Sequence, residues 1–474
     1  MTVKLINDTL SLLKNALESG QGTKYQRLAA ALHEQIRDGG LEAGSKLPPH
    51  RILADRLGIT AGTVSRAYAE LERLGLVVAR VGDGTFVRQH DVERKRDTGF
   101  RNASDKTPGL FDMSRNLHIP GQETAFLADS LRELANDPDR LHELTLYSPE
   151  QGLPRHRRAG ARWLAQGEFR PQAEQILCTN GAQHALLCTL MALLRPGDSV
   201  ATEQLTYPGL IGAARMQGIR LLGVAMDEEG LIPAALDEIC RHNRVSALYC
   251  TPTLQNPTTA VMSPARRKAI AELCRQHNLL MIEDEAHAVL VADRPLPLSH
   301  YAPERGVLIG SLSKAVAAGL RVGYLHAPTA LLGRLAAALR GSCWMATPLA
   351  MELACNWIEG GVAEQLRRQQ VVELARRKAL VQGLLADTRY HTHPQSPHFW
   401  IEVPEPWRAA DVEAELKLKN VLISTAETFA VGRAAVPQFV RASVSNASHD
   451  DGLLLEGFRA LAEALQAGTA ESVE

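Results

Sequence analysis

From about residue 113 onward, short apolar runs alternate with helical segments: "SVATEQ" precedes "PGLIGAARMQG", "ALYCTPT" precedes "SPARRKAIAELCRQHN", and "LLMIEDEA" and "GVLIGSLSK" follow. Strand and helix alternating over more than 150 residues predict an α/β fold, a mostly parallel sheet covered by helices on both faces. Sheets of that kind hold their ligands beyond the carboxyl ends of the strands. Two titratable side chains, Lys314 and Asp284, fall at such ends.

The 474 residues exceed one ordinary core and point to a multidomain chain. Residues 1–22 read as an N-terminal helical extension, with Leu5, Ile6, Leu10, Leu13 and Leu17 near helical spacing. Residues 23–89 read as three helices and a hairpin, and residues 90–112 as a polar linker, which leaves 113–470 for the α/β domain. The formal net charge of −1 is unevenly spread: residues 24–96 hold thirteen Lys/Arg and nine Asp/Glu, a net of +4. That basic end is where a polyanionic partner would bind.

On the third helix of the basic region, Val64, Ala67, Tyr68, Leu71 and Leu74 form one apolar stripe. The stripe turns Thr63, Arg66 and Arg73 outward and leaves Ser65 on the flank, short polar and basic groups of the kind a DNA major groove admits. Arg51, at the start of the preceding helix, can reach phosphate. The hairpin carries "GDG", ending in Gly84, at its tip and Arg80 and Arg88 on its arms. A plainer reading is a packing module with a solvated basic face. The stretch "KLPPHRILADRLGITAGTVSRAYAELERLGLVVARVGDGTFV", however, resembles the winged helix-turn-helix of the GntR family over nearly its whole length. The resemblance implies recognition of operator DNA.

In the α/β region, "SLSKAVAAGLRVGY" sets Lys314 just after an apolar run. A lysine amine condenses with an aldehyde only where it is held close and partly deprotonated. The aldehyde cofactor pyridoxal phosphate also needs an anion cradle and a carboxylate for its ring nitrogen. "TNGAQHALL" offers Gly181, Ala182 and Gln183 at a helix start, Ser311, Ser313 and Arg321 flank Lys314, and Asp284 ends a strand in "MIEDEAH". Tyr207 in "EQLTYPG" can pack on the cofactor face, and Asn256 in "TPTLQNPTT" can donate to its ring oxygen. Singly, each has a plainer explanation: a surface lysine, an Asn-Pro turn, a packed tyrosine, a solvated aspartate. Together, in this order and each beside a strand, they converge on one pocket.

Residues from about 113 to 470 resemble the fold-type I aminotransferases through "YSPEQGLPRHRRA", "NGAQHAL", "TYPG", "QNPT", "IEDEAH", "SLSKAVAAGLRVGY" and "FVRASVS". The resemblance implies the pyridoxal phosphate-dependent transferase fold with a smaller C-terminal α+β part. It also implies the covalent cofactor link at Lys314, Arg321 and Ser311 on the phosphate, Asp284 on the pyridine nitrogen, Asn256 on the ring hydroxyl, and Arg441 on a substrate carboxylate. Two positions depart from the family pattern, which usually has tyrosine where His287 stands and glycine where Thr259 stands. An imidazole can donate to the ring oxygen as a phenol does, but its charge changes near neutral pH.

A GntR-type reader joined to such a domain resembles the MocR subfamily of bacterial regulators. That resemblance implies a homodimer whose large domain senses a small amino compound and whose small domain binds operator DNA. The rivals are a working aminotransferase with an appended reader, and a scaffold that has lost its cofactor. The intact Lys314, Asp284 and Arg321 argue against the scaffold.

Seven cysteines, at 178, 188, 240, 250, 274, 343 and 355, include no CxxC pair and are odd in number, which argues against a disulfide framework or a metal site. The first twenty residues lack a continuous apolar stretch, and no later run reaches membrane length. The expectation is a cytoplasmic protein with no membrane partner.

Overall fold

The computed structural model describes residues 7–19, 22–37, 40–41, 44–73, 76–80, 84–87, 111–432, 434–446 and 450–470. The chain divides into two compact units, residues 1–101 and 102–474. The expected linker falls almost wholly on residues outside the described ones, as do Arg88, Leu74, Leu5, Ile6 and the side chains of Arg73 and Arg80.

In the first unit, helices α1 (Asn7–Ser19), α2 (Lys24–Arg37), α3 (His50–Leu57) and α4 (Ala61–Arg73) precede an antiparallel hairpin of β1 (Val77–Arg80) and β2 (Gly84–Val87). The expected stripe faces inward: Val64, Ala67, Tyr68 and Leu71 join Leu28, Leu32, Leu53 and Val77 in one core. Leu13 and Leu17 of α1 are buried in that same core. Gly58, at φ 67°, closes α3 in the left-handed conformation that a side chain would resist. Thr60 then starts α4, its hydroxyl accepting from the N–H of Thr63 at 3.2 Å.

The second unit is built on a seven-stranded sheet. Its strands are β3 (Ile176–Thr179), β4 (Ser199–Glu203), β5 (Arg220–Val224), β6 (Ala247–Cys250), β7 (Leu280–Asp284), β8 (Gly306–Ser311) and β9 (Gly323–His326), in the spatial order β3-β9-β8-β7-β6-β4-β5. All run parallel except β9, which is antiparallel to both neighbours. Burial on both faces explains the near-continuous apolar runs. Along β6 and β7, Tyr249 and Ile282 pack on one side while Leu248, Cys250 and Met281 pack on the other, as the period of two requires. Helices including α5 (Pro154–Leu164), α6 (Ala182–Leu193), α7 (Pro208–Met216) and α8 (Pro264–Gln276) cover the sheet.

Beyond a long helix, α9 (Val362–Gln382), the chain forms a smaller antiparallel sheet of β10 (Tyr390–His391), β11 (His398–Glu402), β12 (Ser424–Thr425) and β13 (Phe439–Ser443), ordered β10-β11-β13-β12. Arg441 lies on β13, opposite Trp400 and Ser424. No helix among the described residues is long and apolar enough to cross a membrane, and none of their His, Cys, Asp or Glu side chains group in a way that could hold a metal ion. All seven cysteines are free; Cys178, Cys188, Cys250, Cys274 and Cys355 are buried.

Candidate functional site

Parallel strands β7 and β8 end side by side, with Asp284 paired to Ile309. Two residues past Ile309 the strand stops at Ser311, and the following loop delivers Lys314 into a pocket floored by the strand ends. Burial, reinforced by Arg441 and Arg321 and opposed by Asp284, lowers the pKa of Lys314 to about 8. Its ammonium donates to the backbone carbonyl of Asn116 at 2.6 Å. Asp284 is buried, and burial raises its pKa even though it accepts from the N–H of Ala286 at 3.0 Å and the hydroxyl of Tyr249 at 2.9 Å.

The opposite wall comes from the small sheet. Arg441 is buried; its Nη1 donates to Asn256 Oδ1 at 2.7 Å, its Nη2 donates to the carbonyl of Ser114, and its guanidinium lies 4.8 Å over the Phe429 ring. Burial lowers its pKa to about 10. With Oδ1 taken, Asn256 keeps its Nδ2 protons for another acceptor. His287 is enclosed, and burial with the neighbouring Lys314 and Arg441 holds its pKa well below the ordinary range, so the imidazole is neutral. His287 Nε2 and Arg441 Nε are both buried without a partner. Both atoms are thereby available to a bound group.

The cradle forms at the N-terminus of α6. Gly181 sits at φ 86° and ψ 168°, and a Cβ there would come within 2.5 Å of Arg321 Nη2. Only glycine lets the chain pass the guanidinium so closely. Arg321 donates to Ser313 Oγ at 3.4 Å, and the N–H of Ser313 donates to Ser311 Oγ at 3.4 Å. Ala182 opens the helix, and the Gln183 side chain donates to the carbonyl of Gly209 at 3.1 Å, which pins the turn that carries Tyr207. Tyr207 is close enough to Asp284, Arg321 and Arg441 for their charges to act on it, while burial raises its pKa.

The structure therefore brings together Lys314, Asp284, Asn256, His287, Tyr207, Arg321, Arg441, Ser311, Ser313 and Gly181–Gln183. Thr259 has φ 67°, so the backbone there takes the conformation that a glycine would adopt freely and a β-branched residue resists. Sequence reasoning missed Asn116, Tyr249 and His398. His398 is buried, its Nδ1 2.9 Å from Asn116 Nδ2 and its Nε2 2.7 Å from the carbonyl of Pro257. The amide can only donate and the carbonyl only accept, so Nε2 carries the proton. None of the three stands in a recognisable motif; only their places beside "QNPT" and β7 set them apart.

In the first unit, Arg66 and Arg51 are exposed, Thr63 is half-buried with its hydroxyl 2.9 Å from that of Thr60, and Ser65 Oγ lies 2.9 Å from His50 Nδ1. Gly84 opens β2 at φ 118°, where a Cβ would meet Lys46 Cε at 2.8 Å.

The family model for aminotransferase class I and II matches residues 119–461, and that for bacterial regulatory proteins of the gntR family matches residues 24–87. Over 377 residues the chain is 31% identical to the HTH-type pyridoxine biosynthesis transcriptional regulator PdxR of Corynebacterium glutamicum, covering 75% of this chain and 78% of that one. It is 29% identical over 432 residues to the HTH-type transcriptional regulator YdeF of Bacillus subtilis, covering 91% and 92%. Among solved structures, LysN, the α-aminoadipate aminotransferase of Thermus thermophilus complexed with N-(5'-phosphopyridoxyl)-L-leucine, has a TM-score of 0.68 and 26% identity, covering 77% of this chain and 94% of that one.

Proposed function

This chain belongs to the aminotransferase class I and II family and carries a GntR-family DNA reader, and on that premise we propose that it is a pyridoxal phosphate-dependent transcriptional regulator that senses a small amino compound. The observation that carries the proposal is Lys314, an amine with its pKa lowered to about 8, facing a buried carboxylate and a glycine-arginine cradle. The residues fit the cofactor. The Gly181–Arg321 approach, which has no place for a Cβ, sets backbone and guanidinium side by side as an anion cradle would need, and the partnerless Nε2 of His287 lies within reach of the charge of Lys314.

When bound, pyridoxal phosphate supplies an electrophilic carbon that exchanges one amine for another. Lys314 provides the resident amine, and its lowered pKa leaves a useful neutral fraction near pH 7. Asp284, fixed by Tyr249 and Ala286, would hold a proton at the ring nitrogen. Asn256 would donate through Nδ2 to the ring oxygen, and neutral His287 would serve the same side. Tyr207 would cover one ring face. Gly181, Ala182, Gln183, Ser311, Ser313 and Arg321 bind phosphate, with the helix dipole of α6 adding attraction. Arg441 anchors an effector's carboxylate through its free Nε. On the reader, Arg66, Thr63 and Ser65 meet base edges, while Arg51 and the wing at Gly84 meet the backbone. Two readers in a homodimer would span paired half-sites.

The test is an operator titration with and without candidate amines, for the parent and for Lys314→Ala. The variant is expected to bind operator like the parent and to lose the effector response. A full response in Lys314→Ala would overturn the reading. Steady turnover of an amino acid with a keto acid, at the rate of ordinary transaminases, would instead favour an aminotransferase with an appended reader.

A further inference from the structure

A cavity of about 870 Å³ lies between the C-terminal end of α5, the segment following β7 and the N-terminus of α9, and none of the Lys314-site residues lines it. Four guanidinium groups, those of Arg162, Arg294, Arg367 and Arg368, line it against a single carboxylate, Glu364. Glu364 already pairs with Arg367 at 2.7 Å and Arg368 at 2.7 Å. The lining therefore keeps a net charge near +3 in a concave space of the size that small ligands fill. Arg162 is exposed and, among the described residues, has no hydrogen-bond or ion-pair partner. The start of α9 adds to the field: Gly361, at the N-cap of this 21-residue helix, provides no side-chain cap, and it and Ala363 line the same space.

The cavity is also tied to the backbone of the Lys314 pocket. Arg294 donates to the carbonyls of Ala288 and Val291, both at 3.4 Å, and Arg367 donates to that of Val289 at 3.3 Å. These carbonyls immediately follow His287. Trp163, also lining the cavity, donates to the carbonyl of Ser311 at 3.3 Å. Neither the resident amine nor the phosphate cradle uses any of these arginines.

We propose that this cavity is a binding site for a small polyanion, a phosphorylated metabolite or a polycarboxylate, separate from the amine-binding pocket. Excess positive charge selects for two or more negative charges on the ligand. The planar guanidinium fork suits phosphate and carboxylate oxygens alike.

The experiment uses the full-length protein loaded with cofactor, so that the phosphate cradle is occupied, and titrates pyrophosphate and citrate calorimetrically at ionic strength held constant with chloride. Saturable binding of either anion at one site per chain is expected, weakened by about tenfold or more in Arg162→Ala/Arg368→Ala. Both arginines lie at the surface, and an unchanged thermal midpoint for the double variant would show that its fold is intact. Arg132→Ala, which removes an exposed arginine paired with Asp129 elsewhere, is expected to bind like the parent. Absence of saturable binding, or equal binding by the double variant, would overturn the proposal. So would displacement of the anion by excess operator DNA, which would make these arginines contacts for a phosphodiester backbone.

Discussion

The ammonium of Lys314 donates to the carbonyl of Asn116 at 2.6 Å, across 198 positions of sequence. Asn116 in turn meets His398 through its amide, and His398 donates to the carbonyl of Pro257, next to Asn256. The lysine, the loop that carries the ring-oxygen donor and the small sheet are thus joined by one chain of hydrogen bonds. The amine's hydrogen bond goes to an uncharged carbonyl, and burial together with Arg441 and Arg321 outweighs Asp284 in setting its lowered pKa.

The pH dependence of stability follows from that site. Burial lowers the pKa of Lys314 from 10.5 to about 8, so between those values the unfolded chain carries the extra proton and the folded one does not. Stability therefore rises with pH across that window, and the penalty is fully present below pH 8. In cofactor-free protein, the unfolding free energy of the parent relative to Lys314→Met is expected to climb from pH 8 to 10.5 and to be flat below pH 8. Denaturant titrations of both proteins across the range measure it.

Gly181→Ala tests the cradle. The added methyl must fit where Arg321 Nη2 stands, at a backbone conformation only glycine visits freely. A loss of about 1–3 kcal/mol in stability is expected, together with weakened retention of the cofactor on dialysis, read from the visible absorption. Gly333→Ala, at an exposed helical position with open space, is the control: it should leave cofactor retention unchanged and raise stability by about 0.5–1 kcal/mol.

Arg66→Ala is expected to cost about 1–3 kcal/mol on the correct operator and to relax specificity at one base position. Arg51→Ala is expected to weaken all sequences alike and to reduce the salt-dependence slope by about one unit. Fluorescence anisotropy on specific and scrambled DNA at several salt concentrations separates the two, and interchangeable behaviour would misplace the recognition helix.

Asn256→Ala removes the partner of Arg441 Nη1, and the buried guanidinium loses a hydrogen bond worth about 1.5–3 kcal/mol. Effectors carrying a carboxylate are expected to bind more weakly in this variant and in Arg441→Gln. For Arg441→Gln, amines without a carboxylate should bind as they do to the parent. Spectral titration with a matched amino acid and amine distinguishes the cases.

Much of this was legible in the chain itself. The parallel sheet followed from apolar runs such as "LLMIEDEA", because strands buried on both faces cannot alternate with polar residues. Asp284 stood out at the end of a strand, and Lys314 and Arg321 stood out in the loop that follows one. The reversal of β9 did not, since its sequence "GYLH" is as apolar as its neighbours and direction leaves no mark on composition. Asn116 and His398 were hidden for another reason. Each acts through a single long-range contact, and no local period encodes a partner 282 positions away. Thr259 stood out only as a departure, and its φ of 67° supplies the physical reason glycine is usual there.

The burial of Leu13 and Leu17 in the reader's core bears on how far this protein is modular. Someone wishing to transplant its DNA specificity onto another sensor would be tempted to cut at the start of α2, where the family match begins. That cut discards two core leucines, each contributing about 1.5–3 kcal/mol when buried, and leaves a greasy scar on α2. The transferable cassette therefore begins at α1, and the boundary of sequence similarity is not the boundary of the folding unit.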